Sequence, residues 1–426
     1  MKEQKNELRK LKKDKKKKDI LFICQYFYPE YVSSATLPFD TAKALVQEGY
    51  NVSTLCGYPY EYYNGDSVPL NELHEGINIK RLKYLSFKRT NFLGRLINYF
   101  SFTFSVLLRF FSLKNFETLI VYSNPPILPL IAAWASKIFR IKFIFVCYDV
   151  YPEMASLTNS ISENGLIYKI MLFVNKRVFH NAAKVVVLSN EMKEYLLKNR
   201  EISDSTKVVV IPNWYEYEPV KELVKSHLNE LFLDLEPKNN FIVSYLGNIG
   251  ISQDLDTILD AIRFLRNENS IKFIFAGHGN KIGLLKKTVC EEHLDKVTIY
   301  DFLHNDDYED ALNISDLFIV SLAKGLTGLA VPSRTYSFMA AGKPILTLMD
   351  SISDISKDLM NNNAGFAIDI GDPSSLAKAI LKLKSDEKLK LKMGINSRRI
   401  YEEKYTISKG VAKYVSMMNE MFSKTH

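Results

Sequence analysis

The sequence predicts an α/β protein of two doubly wound, Rossmann-like domains in tandem, and three observations predict it. Short apolar runs alternate with helix-period segments almost from end to end, the pattern of a parallel sheet with helices on both faces. The alternation lapses over 213–240, a polar stretch holding Pro219 and Pro237, and then starts afresh. The chain has 426 residues, 47% apolar and 24% charged. It is longer than one hydrophobic core serves and too apolar for a disordered or collagen-like chain.

The first domain, 19–212, carries strand-like runs at 20–24, 52–56, 77–82, 119–122, 141–147, 185–188 and 208–211. Beyond the linker at 213–240, the second domain, 241–404, carries runs at 241–246, 271–276, 297–300, 317–320, 344–348 and 365–368, and 405–426 forms a terminal helix. No repeat of fixed period is present. The uncharged window 118–136 reaches the length of a membrane span, yet it contains Pro125, Pro126 and Pro129. It therefore divides into a buried strand, a turn and a helix beginning near Pro129. Cys24, Cys56, Cys147 and Cys290 are far apart, form no CxxC and sit in apolar runs, which reads as buried thiols in a reducing compartment. The seven histidines have no ligand spacing, so no metal is expected.

Net charge is +8, but residues 1–18 hold ten Lys/Arg against Glu3, Glu7 and Asp14, which leaves the rest of the chain near +1. Such a run is a solvated, disordered arm, with contact to an anionic surface as its functional alternative. No nucleic-acid partner is expected. The arm is too long and the apolar run after it too short for a signal peptide, so a cytoplasmic location is expected. The segment 76–116 contains no acid, eight Lys/Arg and eight Phe, and its longest uncharged run, 96–108, is 13 residues. That is too short to span a bilayer but suited to lying in its interface. This segment and the arm are expected to hold the protein peripherally on an anionic membrane.

Open parallel sheets bind ligands outside the carboxyl ends of their strands, so the turns there hold the candidates. The first strand leads into Tyr28-Pro29-Glu30 and Ser33-Ser34, the fourth into Ser123-Asn124-Pro125-Pro126, and the fifth into Asp149 through Glu153. In the second half the corresponding turns are Gly247-Asn248-Ile249-Gly250, Gly277-His278-Gly279, and a long loop ending at Val331-Pro332-Ser333-Arg334. Ser333 is the expected N-cap of a helix running to about Ala341 and ended by Gly342. A helix start suits a phosphate. Arg334 in its first turn opposes the helix dipole, which either a nearby anion or plain solvent exposure explains. Gly277-x-Gly279-x-x-x-Gly283, with Asp301 about 20 residues on, imitates a dinucleotide fingerprint, although an ordinary glycine turn explains it too. Asp149 and Glu153 suit an acceptor hydroxyl, a general base or a helix cap. Asp254-Leu255-Asp256 matches a DxD metal pattern but falls in a helix's first turn, where acids favour the dipole.

In order and spacing these turns resemble the family 4 retaining glycosyltransferases of the GT-B fold, especially bacterial enzymes of O-antigen, capsule and exopolysaccharide assembly. The likeness covers about residues 19 to 420. It includes Tyr28-Pro29-Glu30, Ser123-Asn124-Pro125-Pro126, Asp149-x-x-Pro152-Glu153, Val187-Leu188-Ser189-Asn190-Glu191, Ile211-Pro212-Asn213-Trp214, both glycine turns, and Val331-Pro332-Ser333-Arg334 followed by Met339-Ala340-Ala341-Gly342-Lys343-Pro344. The resemblance implies a nucleotide diphosphate sugar as co-substrate, held by the second domain. A polyprenyl-linked saccharide acceptor sits on the first domain, and a hexosyl unit moves with retention and without a metal in the cleft between them. On this expectation Asp149 and Arg334 are catalytic. Gly247, Asn248, Gly277, His278, Gly279, Pro332, Ser333 and Ser337 bind donor with Arg334, Tyr28, Glu30, Ser34 and Glu153 lie on the acceptor side with Asp149, and the last helix crosses back onto the first domain.

The sequence departs from the family where two glutamates eight positions apart usually grip donor sugar and ribose, because Leu329 and Ser337 stand there. The basic residues usual after the donor domain's first strand are replaced by Ile251-Ser252-Gln253, and the glycines of the first loop by Val32-Ser33-Ser34. These departures favour, as a rival, a catalytically silent glycosyltransferase-like subunit. An NAD(P)-dependent oxidoreductase using 277–301 is the other alternative.

Overall fold

The computed structural model describes residues 19–63, 65–87, 92–216 and 229–423. The expected basic arm at 1–18, part of the cationic segment at 88–91, most of the linker at 217–228 and the last three residues lie outside the described residues.

The first domain is built on an eight-stranded sheet of order β3-β4-β2-β1-β5-β6-β7-β8. Its strands are β1 (Asp19–Cys24), β2 (Asn51–Gly57), β3 (Asn71–His74), β4 (Ile77–Leu82), β5 (Thr118–Tyr122), β6 (Lys142–Cys147), β7 (Lys184–Val187) and β8 (Val208–Val210). Its helices are α1 (Ser33–Gln47), α2 (Phe92–Leu107), α3 (Pro129–Phe139), α4 (Glu153–Leu157), α5 (Leu166–Asn181) and α6 (Asn190–Asn199). All pairings are parallel except β3 with β4. The second sheet is wholly parallel, of order β11-β10-β9-β12-β13-β14, from β9 (Phe241–Leu246), β10 (Ile271–Ala276), β11 (Val297–Tyr300), β12 (Leu317–Ser321), β13 (Ile345–Leu348) and β14 (Gly365–Ile368). Its helices are α7 (Leu255–Phe264), α8 (Ile282–Glu291), α9 (Asn305–Ile314), α10 (Thr335–Ala340), α11 (Asp354–Asn361), α12 (Pro373–Ser385) and α13 (Glu387–Lys404), and α14 (Ile407–Ser423) is the last described element. Strand order reverses between β1 and β5 and again between β9 and β12, and those reversals open the crevices in which such sheets bind ligands.

The apolar runs form strands because both of their faces are covered. On one face Leu21, Ile23, Leu119 and Val121 pack with Phe102 of α2, Ile131 of α3 and Val178 of α5. On the other, Ile20, Phe22 and Ile120 pack with Leu37 and Leu45 of α1 and with Met417 and Met418 of α14. Pro129 opens α3 as expected, at a position where a missing N–H costs nothing. Strand β3 was not foreseen. It is a solvent-facing edge whose four residues show no apolar alternation, joined to β4 by Glu75 and Gly76 at φ 49° and 77°, the backbone of a tight hairpin turn. Cys290 corrects the reading of four buried thiols, for it is exposed on α8 while the other three are buried.

The two halves are tied directly. Tyr215 N–H donates to the Tyr405 carbonyl at 3.2 Å and its own carbonyl accepts from Tyr401 Oη at 2.9 Å. Trp214 Nε1 donates to Asp40 of α1 at 2.9 Å, and its ring lies so close to Gly410 that a Cβ there would stand 2.0 Å from Trp214 Cε3. Only glycine lets α14 pass this ring and reach α1.

Candidate active site

A cavity of about 1680 Å³ lies between the carboxyl ends of the two sheets and takes residues from both. On the second domain its floor is two glycine turns pressed together. Gly247 N–H donates to the Ala276 carbonyl at 2.8 Å and Ile249 N–H to the His278 carbonyl at 2.8 Å. A Cβ on Gly277 would stand 1.8 Å from the Gly247 carbonyl oxygen, and one on Gly279 2.3 Å from that of Ile249. With φ of 147° and 148°, both positions admit glycine for conformation as well as space. Gly283 meets nothing within 4 Å, so the close-packing duty of a dinucleotide fingerprint's last glycine is not performed here.

Arg334 rises from this floor. Its stem passes Gly247, where a Cβ would stand 2.9 Å from Arg334 Cδ. Its guanidinium lies over the rings of Phe302 at 5.1 Å and Tyr308 at 5.5 Å. Among the described residues it has no ion pair and no side-chain hydrogen bond. Tyr308 Oη and Ser337 Oγ are 2.7 Å apart, and Ser337 Oγ donates to the Arg334 carbonyl at 2.7 Å. A half-buried cation is thus held by ring faces and presented, unneutralised, to the cavity. The expected helix is shorter than 333–341. It is α10, its cap residue is Arg334, no side chain caps it, and Gly342 at φ 66° follows as expected. Ser333 therefore lines the cavity without capping.

Of the residues expected on the donor side, Asn248, His278, Gly279, Ser333, Arg334 and Ser337 line the cavity, whereas Gly247, Gly277 and Pro332 lie behind them. Leu329 is buried in the core, and its carbonyl accepts from Val150 N–H of the first domain at 2.8 Å, so that position ties the halves together. Asp254 caps α7 by accepting from Thr257 N–H at 3.2 Å. Among the described residues no group of three His, Cys, Asp or Glu side chains is placed to hold a metal.

The expected acceptor side is not brought together. Tyr28 stacks on His74 with centroids 4.0 Å apart, and Ser34 lies within α1 just behind the cavity-lining Ser33. Glu30 is buried, its Oε1 has no partner among the described residues, and burial above all pushes its carboxyl up to about 8. Glu153 is engaged by Arg200 Nη2 at 2.6 and 2.5 Å, a largely buried pair outside the cavity lining. Asp149 lines a separate recess of about 10 Å³ that shares Pro126 and Tyr151 with the large cavity, and burial raises its carboxyl to about 6. Tyr31, Tyr60, Glu61, Tyr62, Arg95 and Tyr99 line the first-domain wall instead. The available signal was the aromatic run Tyr58-Pro59-Tyr60-Glu61-Tyr62-Tyr63 directly after the second strand.

Residues 229–400 match the family described as glycosyl transferases group 1, and residues 39–214 match the glycosyl transferase 4-like domain. The chain is 25% identical over 307 residues to the probable glycosyltransferase WbjE of Pseudomonas aeruginosa, covering 71% of this chain and 74% of that one. It is 22% identical over 215 residues to the putative colanic acid biosynthesis glycosyl transferase WcaI of Escherichia coli K12, covering 50% and 52%. The crystal structure of Anabaena Alr3699/HepE in complex with UDP and glucose superposes with a TM-score of 0.68 at 16% identity, over 95% of this chain and all of that one, a likeness of fold.

Proposed function

The chain belongs to the family 4, group 1 glycosyltransferases of the GT-B fold, and on that premise we propose that it moves a sugar from a nucleoside diphosphate sugar to a lipid-linked saccharide, with retention, in surface polysaccharide assembly. One observation carries the reading. Arg334 stands unneutralised on the second domain's side of the cleft, held over Phe302 and Tyr308. A preorganised cation beside backbone N–H groups stabilises the charge that develops on a departing diphosphate, so the reading assigns no metal to that task. The glycine floor offers backbone close enough for a nucleotide to lie on it. UDP in the similarly folded Anabaena protein and colanic acid in the name of the Escherichia coli relative support the donor class and the setting. Purified chain incubated with UDP- and GDP-sugars, chelator and a membrane extract, followed by proton NMR, tests it: release of nucleoside diphosphate and an α product from an α donor are expected. No turnover of any donor would leave the silent-subunit reading, which Leu329 favours because its side chain sits in the core where a sugar-gripping carboxylate is usual.

A peripheral membrane position, on the inner face of the plasma membrane, is part of the proposal. Helices α2, α3 and α5, which cover one face of the first sheet, contain no Asp or Glu. They and the turn after α2 expose Leu108 at 70%, Phe111 at 74%, Ile138 at 62% and Leu166 at 73%. Helices α1 and α14 on the opposite face expose no large apolar side chain among the described residues. The apolar, cationic layer thus extends beyond 76–116 onto α3 and α5, and suits anionic lipid. Among the described residues no helix is long and apolar enough to cross a membrane.

A further inference from the structure

The side chains first expected to meet the acceptor do not line the large cavity, whereas its first-domain wall carries a carboxylate that does. We propose that Glu61 is the saccharide-binding carboxylate of the cleft, holding hydroxyls of the acceptor glycan against a wall of tyrosines. The proposal rests on the sugar-transfer reading and names the recognition element of its acceptor half.

Glu61 sits in the loop after β2 and lines the cavity. Its Oε1 accepts from Asn98 Nδ2 at 3.2 Å and its Oε2 from Tyr26 Oη at 3.2 Å. Both donors are buried, at 1% and 2% exposure. Asn98 is itself fixed, its Oδ1 accepting from Phe87 N–H at 2.8 Å and its Nδ2 donating to the Phe87 carbonyl at 2.9 Å. The carboxylate is therefore oriented from beneath by groups that cannot turn away, on a cavity wall that also carries Tyr60, Tyr62 and Tyr99. A sugar ring has hydroxyls at its rim and C–H groups on its faces. A carboxylate, with about four acceptor sites, takes vicinal hydroxyls, and an aromatic plane takes a C–H face.

A chain of rings joins this wall to the donor cation. Tyr62 meets Tyr31 edge-on at 6.3 Å, Tyr31 meets His304 across the cleft at 5.2 Å, His304 lies 4.7 Å from Phe302, and Phe302 supports Arg334 at 5.1 Å. A glycan held at Glu61 therefore borders the space in front of the diphosphate site. Neighbouring Glu30 keeps its proton at neutral pH, so Glu61 faces the sugar without a second carboxylate charge behind it.

The test is saturation-transfer NMR on the full chain with a fixed panel of methyl α-glucoside, methyl α-galactoside, methyl α-mannoside, N-acetylglucosamine, cellobiose and maltose, with UDP and GDP affinity measured alongside. At least one sugar is expected to bind. Glu61→Gln should weaken it at least tenfold, with nucleotide affinity and melting temperature unchanged. Tyr26→Phe, which removes one orienting donor but keeps the carboxylate, should weaken it less. The assignment is overturned if no sugar in the panel binds the native chain, if Glu61→Gln binds as the native chain does, or if sugar affinity, nucleotide affinity and melting temperature fall together. Loss of UDP and GDP binding in the native chain would instead sink the sugar-transfer reading and leave sugar binding at Glu61 to stand or fall separately.

Discussion

Replacing Arg334 by alanine isolates the proposed diphosphate contact more cleanly than most cleft substitutions. The guanidinium has no carboxylate to leave behind unpaired among the described residues, and the ring faces at 5.1 and 5.5 Å that position it are apolar. Truncation therefore strands no buried charge, and what is lost is the interaction with ligand plus the ring contacts. A charge-assisted hydrogen bond is worth roughly 1.5 to 3 kcal/mol, or about ten- to hundredfold in dissociation constant. The ring contacts add roughly 0.5 to 1 kcal/mol to local order, which a melting curve would register as a small drop. Calorimetry with nucleoside and nucleoside diphosphate in parallel gives the decisive comparison. Diphosphate affinity should fall by that factor while nucleoside affinity stays put, and Arg334→Lys should lie between, keeping charge without the planar fork. Diphosphate binding within twofold of the native chain, or an equal loss for the nucleoside, would refute the reasoning.

Three further outcomes are expected. Gly277→Ala, whose Cβ would meet backbone oxygen at 1.8 Å at a φ of 147°, should separate the two glycine turns, destabilise the fold by roughly 2 kcal/mol or more and weaken nucleotide binding; a variant with native melting and affinity contradicts this. Glu30 holds its proton to about 8 in the fold against 4.5 as the ordinary value. The folded state then binds the extra proton, so native stability should fall as pH rises from about 4.5 through about 8 and level off above. Glu30→Gln should remove that slope and gain up to roughly 5 kcal/mol at pH 9, as denaturant midpoints at pH 5 and pH 9 will register. In liposome flotation the chain should bind anionic vesicles at low salt and release at high salt, and Leu166→Ser with Ile138→Ser should weaken binding; equal binding to neutral and anionic vesicles, or none, contradicts the membrane-facing layer.

The parallel strands were legible because burial on both faces writes each as a continuous apolar run, and the sites were partly legible because they lie where those runs end. Edge strand β3 was hidden because half of it faces water and its pairing is set by a two-residue turn. Gly277 and Arg334 could be singled out because glycine after a strand and a cation at a helix start are each locally odd. Glu153 could not be judged locally, since its partner Arg200 lies 47 residues on and only folding brings the two together. Glu30 likewise shows its burial only once Phe27, Glu61 and Tyr62 surround it. Glu61 stood in an aromatic run that no backbone pattern distinguishes from a plain loop; the role proposed for it rests on Tyr26 and Asn98, which converge on it from two other parts of the chain.

Calorimetric titration of the full chain with UDP, GDP, the matching monophosphates and NAD, in the presence of a chelator, tests sugar transfer from a nucleoside diphosphate most directly. One diphosphate should bind with a dissociation constant in roughly the micromolar range, more tightly than its monophosphate, and NAD should not bind. Binding of NAD with neither diphosphate, or no nucleotide binding at all, would contradict it.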